Sequence, residues 1–209
     1  YSRFSFDYPY SVAQSVNGPV GGMEYPMITF NGPRTELQKD GSRTYSQAEK
    51  RFLIGVVIHE VGHIYFPMVV NSDERQWTWM DEGLNSMNEN RYIETKYPNR
   101  KLIHTDSLST KGFLRFFDLE HYSHKCQYEM AYLINAGRNQ DQPIEEHGAE
   151  YTPLNYGGIV YSKTAIVFDY LMAYLGEETF DKCMQRYYKE WQFKHPQPND
   201  LRKIFEEET

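Results

Sequence analysis

Apolar and polar residues follow two different patterns along the chain. Up to residue 45, short apolar runs such as Met27-Ile28-Thr29-Phe30 are separated by Asn-Gly-Pro and Gly-Gly groups, a pattern typical of strands and turns. From residue 46 onwards, apolar residues recur mainly at the three- and four-residue spacing of helices. Strands followed by helices predict an α+β domain.

Start and stop signals divide the helical part into segments. The sequence Ser-Gln-Ala-Glu at 46–49 has the form of a capping box, which predicts a helix that begins there and ends before Pro67. A second helix is predicted from about residue 80 to 96, ahead of Pro98. Beyond a mixed stretch, helices are predicted over 158–175, over 177–191 and from Asn199 onwards.

The first predicted helix carries an H-E-x-x-H motif at residues 59–63. At about 100° per residue, His63 lies about 40° and Glu60 about 100° around the helix from His59, so the two histidines share one face. Two imidazoles placed in this way bind a metal ion, with Glu60 beside them as general base. Glu82 follows after 18 intervening residues. Two histidines and one glutamate form a known ligand set for catalytic zinc.

The alternative is a buried apolar helix that carries two histidines by chance. Ordinary residue usage makes such a motif rare in a chain of this length, and the spaced Glu82 makes it rarer. The donor set favours Zn²⁺, one per chain, although cobalt or manganese could occupy the same ligands in vitro.

Composition narrows the classes of function. The chain has 209 residues and a net charge of −7, without a Lys/Arg run, so nucleic acid is not an expected partner. No apolar stretch approaches about 18 residues, so no membrane span is expected. Cys126 and Cys183 show no metal-like spacing, and two separate thiols are favoured over a disulfide. The start at Tyr1, without Met, suggests an excerpt of a longer chain, and the compartment stays open.

Three further segments match motifs of one peptidase family. Residues 21–25, Gly-Gly-Met-Glu-Tyr, resemble the exopeptidase motif G-x-M-E-N, and residues 161–163, Tyr-Ser-Lys, resemble Y-x-K(-G). Residues 79–84 are similar to W-L-N-E-G-F. Together with the zinc motif, and over residues 8–205, the chain resembles the M1 family of zinc aminopeptidases, which are gluzincins. Tyr25 departs from the family's Asn, and Thr164 from its Gly.

The resemblance implies a single thermolysin-like catalytic domain over 1–209, with a small sheet packed on the metal-binding helices. Its parts are a strand-rich lead-in (1–45), a zinc-binding helix pair (46–97), a stretch of mixed loops and helices (98–155) and a helical end (156–209). Family members carry flanking domains, so the parent chain is expected to carry them too. The implied substrates are peptides with a free N-terminus.

The resemblance also implies roles for individual residues. Glu24 is expected to bind the substrate's α-amine, and Tyr161 to stabilise the oxyanion. Glu89, seven residues after Glu82 and on the same helix face, is expected to orient a ligand histidine. The remaining residues expected to contact substrate are Gly21, Gly22, Met23 and Tyr25.

Two other functions are compatible with the same motifs. An endopeptidase could use the same zinc site, although a carboxylate at Glu24 would not assist an internal peptide segment. A fragment without its flanking domains could bind metal with little or no turnover. His121 and His124, near Cys126, have no further ligands at useful spacing and predict a solvated loop rather than a second metal site.

Overall fold

The computed structural model describes residues 1–32, 35–102, 112, 115–119 and 121–209. Its first part forms two small sheets. In the three-stranded sheet the order is β1-β3-β2, with β1 parallel and β2 antiparallel to β3. The second sheet pairs β4 with β5. The strands are β1 Gln14–Asn17, β2 Gly22–Tyr25, β3 Ile28–Asn31, β4 Glu36–Leu37 and β5 Arg43–Thr44.

Helices make up most of the chain after residue 46. Two of them are preceded by π-helical segments, at Trp79–Gly83 and Tyr156–Lys163, and short helical turns occur at Gly148–Glu150 and Pro153–Asn155. The main helices are α1 Gln47–Gly62, α2 Leu84–Lys96, α3 Cys126–Ala136, α4 Thr164–Leu175, α5 Glu177–Trp191 and α6 Pro198–Glu208.

The predicted start of α1 is confirmed, but its end comes earlier than Pro67. Ser46 is the N-cap, and its hydroxyl accepts a hydrogen bond from the Glu49 amide. The helix ends at Gly62, and the amides of Tyr65 and Phe66 turn back onto the Gly62 carbonyl. This turn brings the following segment beneath the face of α1 that carries the histidines.

The small sheet packs on α1 through β2 and β3, and α1 packs in turn on α2. Behind α2 lies the main hydrophobic core, which α4, α5 and α6 complete. Its large, fully buried side chains include Phe66, Met80, Phe180, Tyr187 and Tyr188. The metal motif therefore lies between a thin sheet and a well-packed helical layer, which fixes α1 from both sides.

Close packing joins the two π-helical segments. A methyl group on Gly83 would overlap the side chain of Thr164, so only glycine at 83 permits this approach. Thr164 is buried and its hydroxyl donates to the Ile159 carbonyl. The contact holds the segment that contains Glu82 against the segment that contains Tyr161.

Part of the predicted mixed region lies outside the described residues, namely 103–111, 113–114 and 120. Within the described part of 98–155, Lys101 pairs with Ser123 in an isolated bridge, and α3 follows. Cys126 and Cys183 are both free thiols. None of the helices in the described ranges has the length and apolar character needed to cross a membrane.

Candidate metal centre and substrate cavity

Three side-chain donors meet where α1 faces the π-helical segment before α2. Glu82 Oε2 lies 3.0 Å from His59 Nε2 and 3.2 Å from His63 Nε2. The two imidazole Nε2 atoms are 3.1 Å apart. These are the three residues that the sequence predicted as ligands, brought together from two separate elements.

The spacing of these donors fits a zinc ion. Ligand atoms about 2.0–2.1 Å from a tetrahedral zinc lie about 3.3 Å from one another. The three observed separations, 3.0, 3.1 and 3.2 Å, are close to that value. The set offers one carboxylate and two imidazoles, which leaves a fourth coordination position free for substrate or solvent.

The other ring nitrogen of each of the two histidines, Nδ1, also lies against an oxygen atom. Glu89 Oε2 lies 3.2 Å from His59 Nδ1 and also accepts a hydrogen bond from the Tyr128 hydroxyl at 3.1 Å. His63 Nδ1 lies 2.8 Å from the Phe66 carbonyl oxygen. Such contacts fix the tautomer and orientation of metal-binding imidazoles.

Asp81 adds a carboxylate that the sequence analysis did not select. It is buried, and its Oδ1 lies 2.8 Å from His63 Nδ1. The only sequence signal was its position beside Glu82. Asn85 was also missed: its side-chain amide donates to the His59 carbonyl and ties α2 to α1.

The carboxylates shift the pKa values of the imidazoles. Burial alone would lower the pKa of His59, but hydrogen bonds to Glu82 and Glu89 outweigh it and raise the pKa to about 9. Burial would also lower the pKa of His63, but the negative charges of Asp81 and Glu82 outweigh it and raise this pKa well above its ordinary value. Burial would raise the pKa of Glu82, but its hydrogen bonds to His59 and His63 outweigh burial and hold this pKa well below its ordinary value. The site therefore attracts positive charge, whether from protons or from a metal ion.

Glu60 occupies the side of the histidine pair that faces β2. Its side chain is buried, and burial raises its pKa to about 7, against the opposing effect of His59 and His63. Gly22 of β2 lies directly against it: a methyl group on Gly22 would overlap Glu60 Oε1. Gly22 was expected to contact substrate; besides lining the substrate cavity, it leaves room for the Glu60 carboxylate.

Tyr161 approaches the donors from the second π-helical segment. Its hydroxyl donates to Glu82 Oε1 at 2.6 Å, and its ring stacks on His59 with centroids 5.8 Å apart. Burial and the negative charge of Glu82 raise the pKa of Tyr161 far above its ordinary value, so the phenol keeps its proton. π-helical segments are rare and occur frequently at functional sites.

A cavity of about 530 Å³ opens over the metal donors. Gly22, Met23 and Glu24 of β2 line it together with Glu60 and Tyr161. Glu24 is buried, with a carboxylate oxygen within 4.8 Å of both Glu60 and His63. Further lining residues that the sequence did not indicate are Glu74, Arg75, Thr78, His147 and Tyr156.

Two residues of the predicted substrate motif lie outside this cavity. The Tyr25 ring packs edge-on against Phe30, with centroids 5.8 Å apart. The Gly21 carbonyl accepts a hydrogen bond from the Gly32 amide. The expectation of a solvated loop is wrong for His124, which is buried.

The comparisons with known proteins agree with this geometry. The whole chain, residues 1–209, matches the Peptidase family M1 domain. Endoplasmic reticulum aminopeptidase 2 of Homo sapiens is 25% identical over 204 residues, which cover 95% of this chain and 19% of the human protein. Aminopeptidase M1 of Arabidopsis thaliana is 28% identical over 204 residues, which cover 95% of this chain and 21% of the plant protein.

The fold is similar to that of solved peptidases. An M1 zinc metallopeptidase from Deinococcus radiodurans superposes with a TM-score of 0.65 at 16% identity, over 99% of this chain and 38% of that one. This likeness confirms the predicted α+β fold class. The chain spans about a fifth of the length of the human and plant relatives. Because the family match extends from the first residue to the last, the chain belongs to peptidase family M1.

Proposed function

We propose that this chain is the catalytic part of a zinc-dependent aminopeptidase, with His59, His63 and Glu82 as the metal ligands. The observation that carries the proposal is the position of Glu24. Its carboxylate lines the same cavity as the metal donors, within 4.8 Å of His63. A charged α-amine held there would place the first peptide bond of the substrate at the metal site. Membership of family M1 supports the same reaction.

Glu60 acts as the general base in this proposal. A carboxyl group with a pKa of about 7 accepts a proton at neutral pH and can release it again. Glu60 would take the proton of the attacking water on its carboxylate and pass it to the leaving amine. Zinc, when bound to the three ligands, supplies Lewis acidity that polarises a carbonyl group and lowers the pKa of water.

Tyr161 supplies a hydrogen-bond donor to the oxygen that becomes negative as the carbonyl is attacked. Its raised pKa keeps the phenol protonated, and its hydroxyl is already directed at the ligand cluster. Donors directed at a developing oxyanion contribute about 10²–10³ in kcat. Glu89 orients His59, because its carboxylate lies against the ring nitrogen that faces away from the metal, and the Phe66 carbonyl holds His63 in the same way. The negative charge of Asp81, close to His63, favours the charged imidazole.

The parent protein is proposed to carry flanking domains that complete the substrate cleft. The support is length: the human and plant relatives are about five times longer than this chain. Among the described residues, β2 is an edge strand paired only with β3, and its residues Gly22, Met23 and Glu24 line the cavity. An extended peptide could add to such an edge through backbone hydrogen bonds.

The decisive experiment measures zinc content and turnover on the same preparation. Release of 4-nitroaniline is compared between alanine 4-nitroanilide and its N-acetylated form. We expect one zinc per chain and cleavage of the free-amine substrate alone. Equal cleavage of both would indicate an endopeptidase, and zinc without turnover would indicate a site that needs further domains.

Variants separate the roles of the carboxylates. Glu60→Gln should keep its zinc and lose about 10²–10⁴ in kcat, the usual contribution of a general base. Glu89→Gln should weaken zinc binding about tenfold or more. Glu94→Gln, at an exposed position of α2, is the matched control and should change neither quantity. Unchanged turnover in Glu60→Gln would contradict the mechanism.

A further inference from the structure

A second cavity of about 270 Å³ adjoins the metal site and shares His59, Glu60 and Tyr161 with the first. Glu24, at the proposed position of the substrate's amine, lines only the first cavity. The two cavities therefore meet at the catalytic groups. Apart from these groups, the second cavity is lined mainly by residues from α1, α2 and α3, among them Phe52, Val56, Ser86 and Tyr128.

Arg100 brings a positive charge to this second cavity. Its guanidinium is half-buried and donates a hydrogen bond to the backbone carbonyl of Arg51 at 3.2 Å. Among the described residues, no carboxylate lies within ion-pair distance of Arg100. Burial lowers its pKa, but a guanidinium stays protonated at neutral pH. A half-buried cation without an ion-pair partner is costly unless a ligand supplies the anion.

None of the other described polar groups that line this cavity forms an ion pair with Arg100. Burial, reinforced by the nearby charge of Arg100, lowers the pKa of His124 to about 4, so this imidazole is uncharged at neutral pH. Gln127, also neutral, lies 2.9 Å from His124. The Glu89 carboxylate lines the cavity, and its charge acts to raise the pKa of Arg100 against the larger effect of burial, but its Oε2 is engaged by His59 and Tyr128.

We propose that Arg100 makes this cavity a subsite for a carboxylate on the residue that follows the cleaved bond. The inference rests on the proposed aminopeptidase function. With the α-amine at Glu24 and the first peptide bond at the metal ligands, the second residue of the substrate enters the adjoining cavity. Arginine suits a carboxylate because its planar fork donates two parallel hydrogen bonds. The carboxylate comes from an acidic side chain, or from the free C-terminus of a dipeptide.

Paired peptides test both sources on the full chain. Ala-Glu-Ala-amide is compared with Ala-Gln-Ala-amide for the side chain, and Ala-Ala with Ala-Ala-amide for the terminus. The release of alanine gives kcat/KM for each peptide. We expect the carboxylate member of at least one pair to be preferred by about fivefold or more, a typical gain for a charge-assisted hydrogen bond. No preference in either pair overturns the proposal.

Two variants assign the preference to Arg100. Arg100→Met should abolish the preference while leaving kcat/KM for Ala-Gln-Ala-amide within about twofold of wild type. Arg51→Met is the matched control, because the Arg51 side chain lies outside this cavity and its backbone carbonyl remains. A preference that survives in Arg100→Met, or that is lost equally in Arg51→Met, overturns the assignment.

A third variant separates a loss of charge from a folding defect. Cleavage of the neutral peptide tests whether the proposed reaction occurs at all. Arg100→Lys keeps the charge without the planar fork, and should retain part of the preference. Complete loss in Arg100→Lys with unchanged cleavage of Ala-Gln-Ala-amide would contradict a role for the charge. Failure of the wild-type protein to cleave both Ala-Gln-Ala-amide and alanine 4-nitroanilide would instead show that the metal site needs further domains, and failure with the peptide alone would contradict the entry of the second residue into this cavity.

Discussion

At the scale of single residues, Gly22 has a role that a motif alone does not explain. A methyl group there would overlap Glu60 Oε1 and press on Val56, so Gly22→Ala should displace the general base. We expect kcat to fall about tenfold or more with zinc content unchanged, because a displacement of about 1 Å can cost 10²-fold in rate. Steady-state kinetics and metal analysis on the same preparation measure the effect.

The neighbouring glycine provides the control for this prediction. A methyl group on Gly21 would meet nothing within 4 Å, so Gly21→Ala should retain wild-type kcat. Equal losses in the two variants would show that the strand, rather than the Glu60 carboxylate, is sensitive to substitution. A fully active Gly22→Ala would show that Glu60 has room to move without consequence.

Residue identity predicted the metal donors and the support of His59 by Glu89, but not the supports of His63. His59, His63 and Glu82 could be selected because the chemistry of zinc demands those residue types at that spacing. The support of His63 comes from the Phe66 carbonyl and from Asp81. A backbone carbonyl carries no sequence signature, and the Asp81 contact depends on how α1 and the following segment turn. Glu89 could be predicted because its seven-residue spacing from Glu82 puts both on one face of a helix, and the π-helical segment at Glu82 does not separate them.

At the scale of elements, α2 is tied to α5 by a buried arginine. The Arg91 guanidinium donates to both carboxylate oxygens of Asp181, at 2.6 and 3.0 Å, and to Glu177 at 2.9 Å. It also lies over the Phe4 ring, 3.8 Å from the centroid. Because Arg91 is only 6% exposed, its charge relies on these partners rather than on water.

The two acids should contribute very differently to stability. Asp181→Asn should lower the free energy of unfolding by about 2–3 kcal/mol, since it leaves a buried charge partly unpaired. Glu177→Gln is the control: the Glu177 side chain is 62% exposed, so its loss should cost less than about 1 kcal/mol. Urea denaturation followed by circular dichroism measures both. Similar losses in the two variants would contradict a dominant role for the bidentate contact.

The ends of the helices could be predicted to within a few residues, whereas the π-helical geometry of two segments could not. Apolar spacing and Gly176 located the helices that end at Leu175 and Trp191. The same spacing could not show that Glu82 and Tyr161 lie in π-helical segments, since the change in period involves a single extra residue. Next to these segments, Gly83 and Thr164 approach closely although they are far apart in sequence, a contact that no local pattern predicts.

At the scale of the whole molecule, the ligand site should make stability depend on pH and on zinc together. In the metal-free protein, folding raises the pKa of His59 from 6.5 to about 9, of Glu60 from 4.5 to about 7 and of Asp81 from 3.8 to about 7. The folded state then binds more protons than the unfolded state over this range, so its stability falls as pH rises. The lowered pKa of Glu82 has the opposite sign, but its contribution is complete above the ordinary value of 4.5.

The expected result is a progressive loss of stability in chelator-treated protein between pH 5 and 9, to which His59 alone contributes about 3 kcal/mol. The part due to His59 is present in full below about pH 6.5 and disappears as pH passes 9. Zinc replaces the protons on the imidazoles, so zinc-loaded protein should keep its stability above pH 7, where neutral histidine is the metal-binding form. Thermal denaturation at pH 5, 7 and 9, with and without zinc, measures the two curves. Their difference isolates the site from other titrating groups, and it should widen with pH. A constant difference, or a metal-free protein that gains stability towards pH 9, would mean that protons and zinc do not compete for His59 and His63.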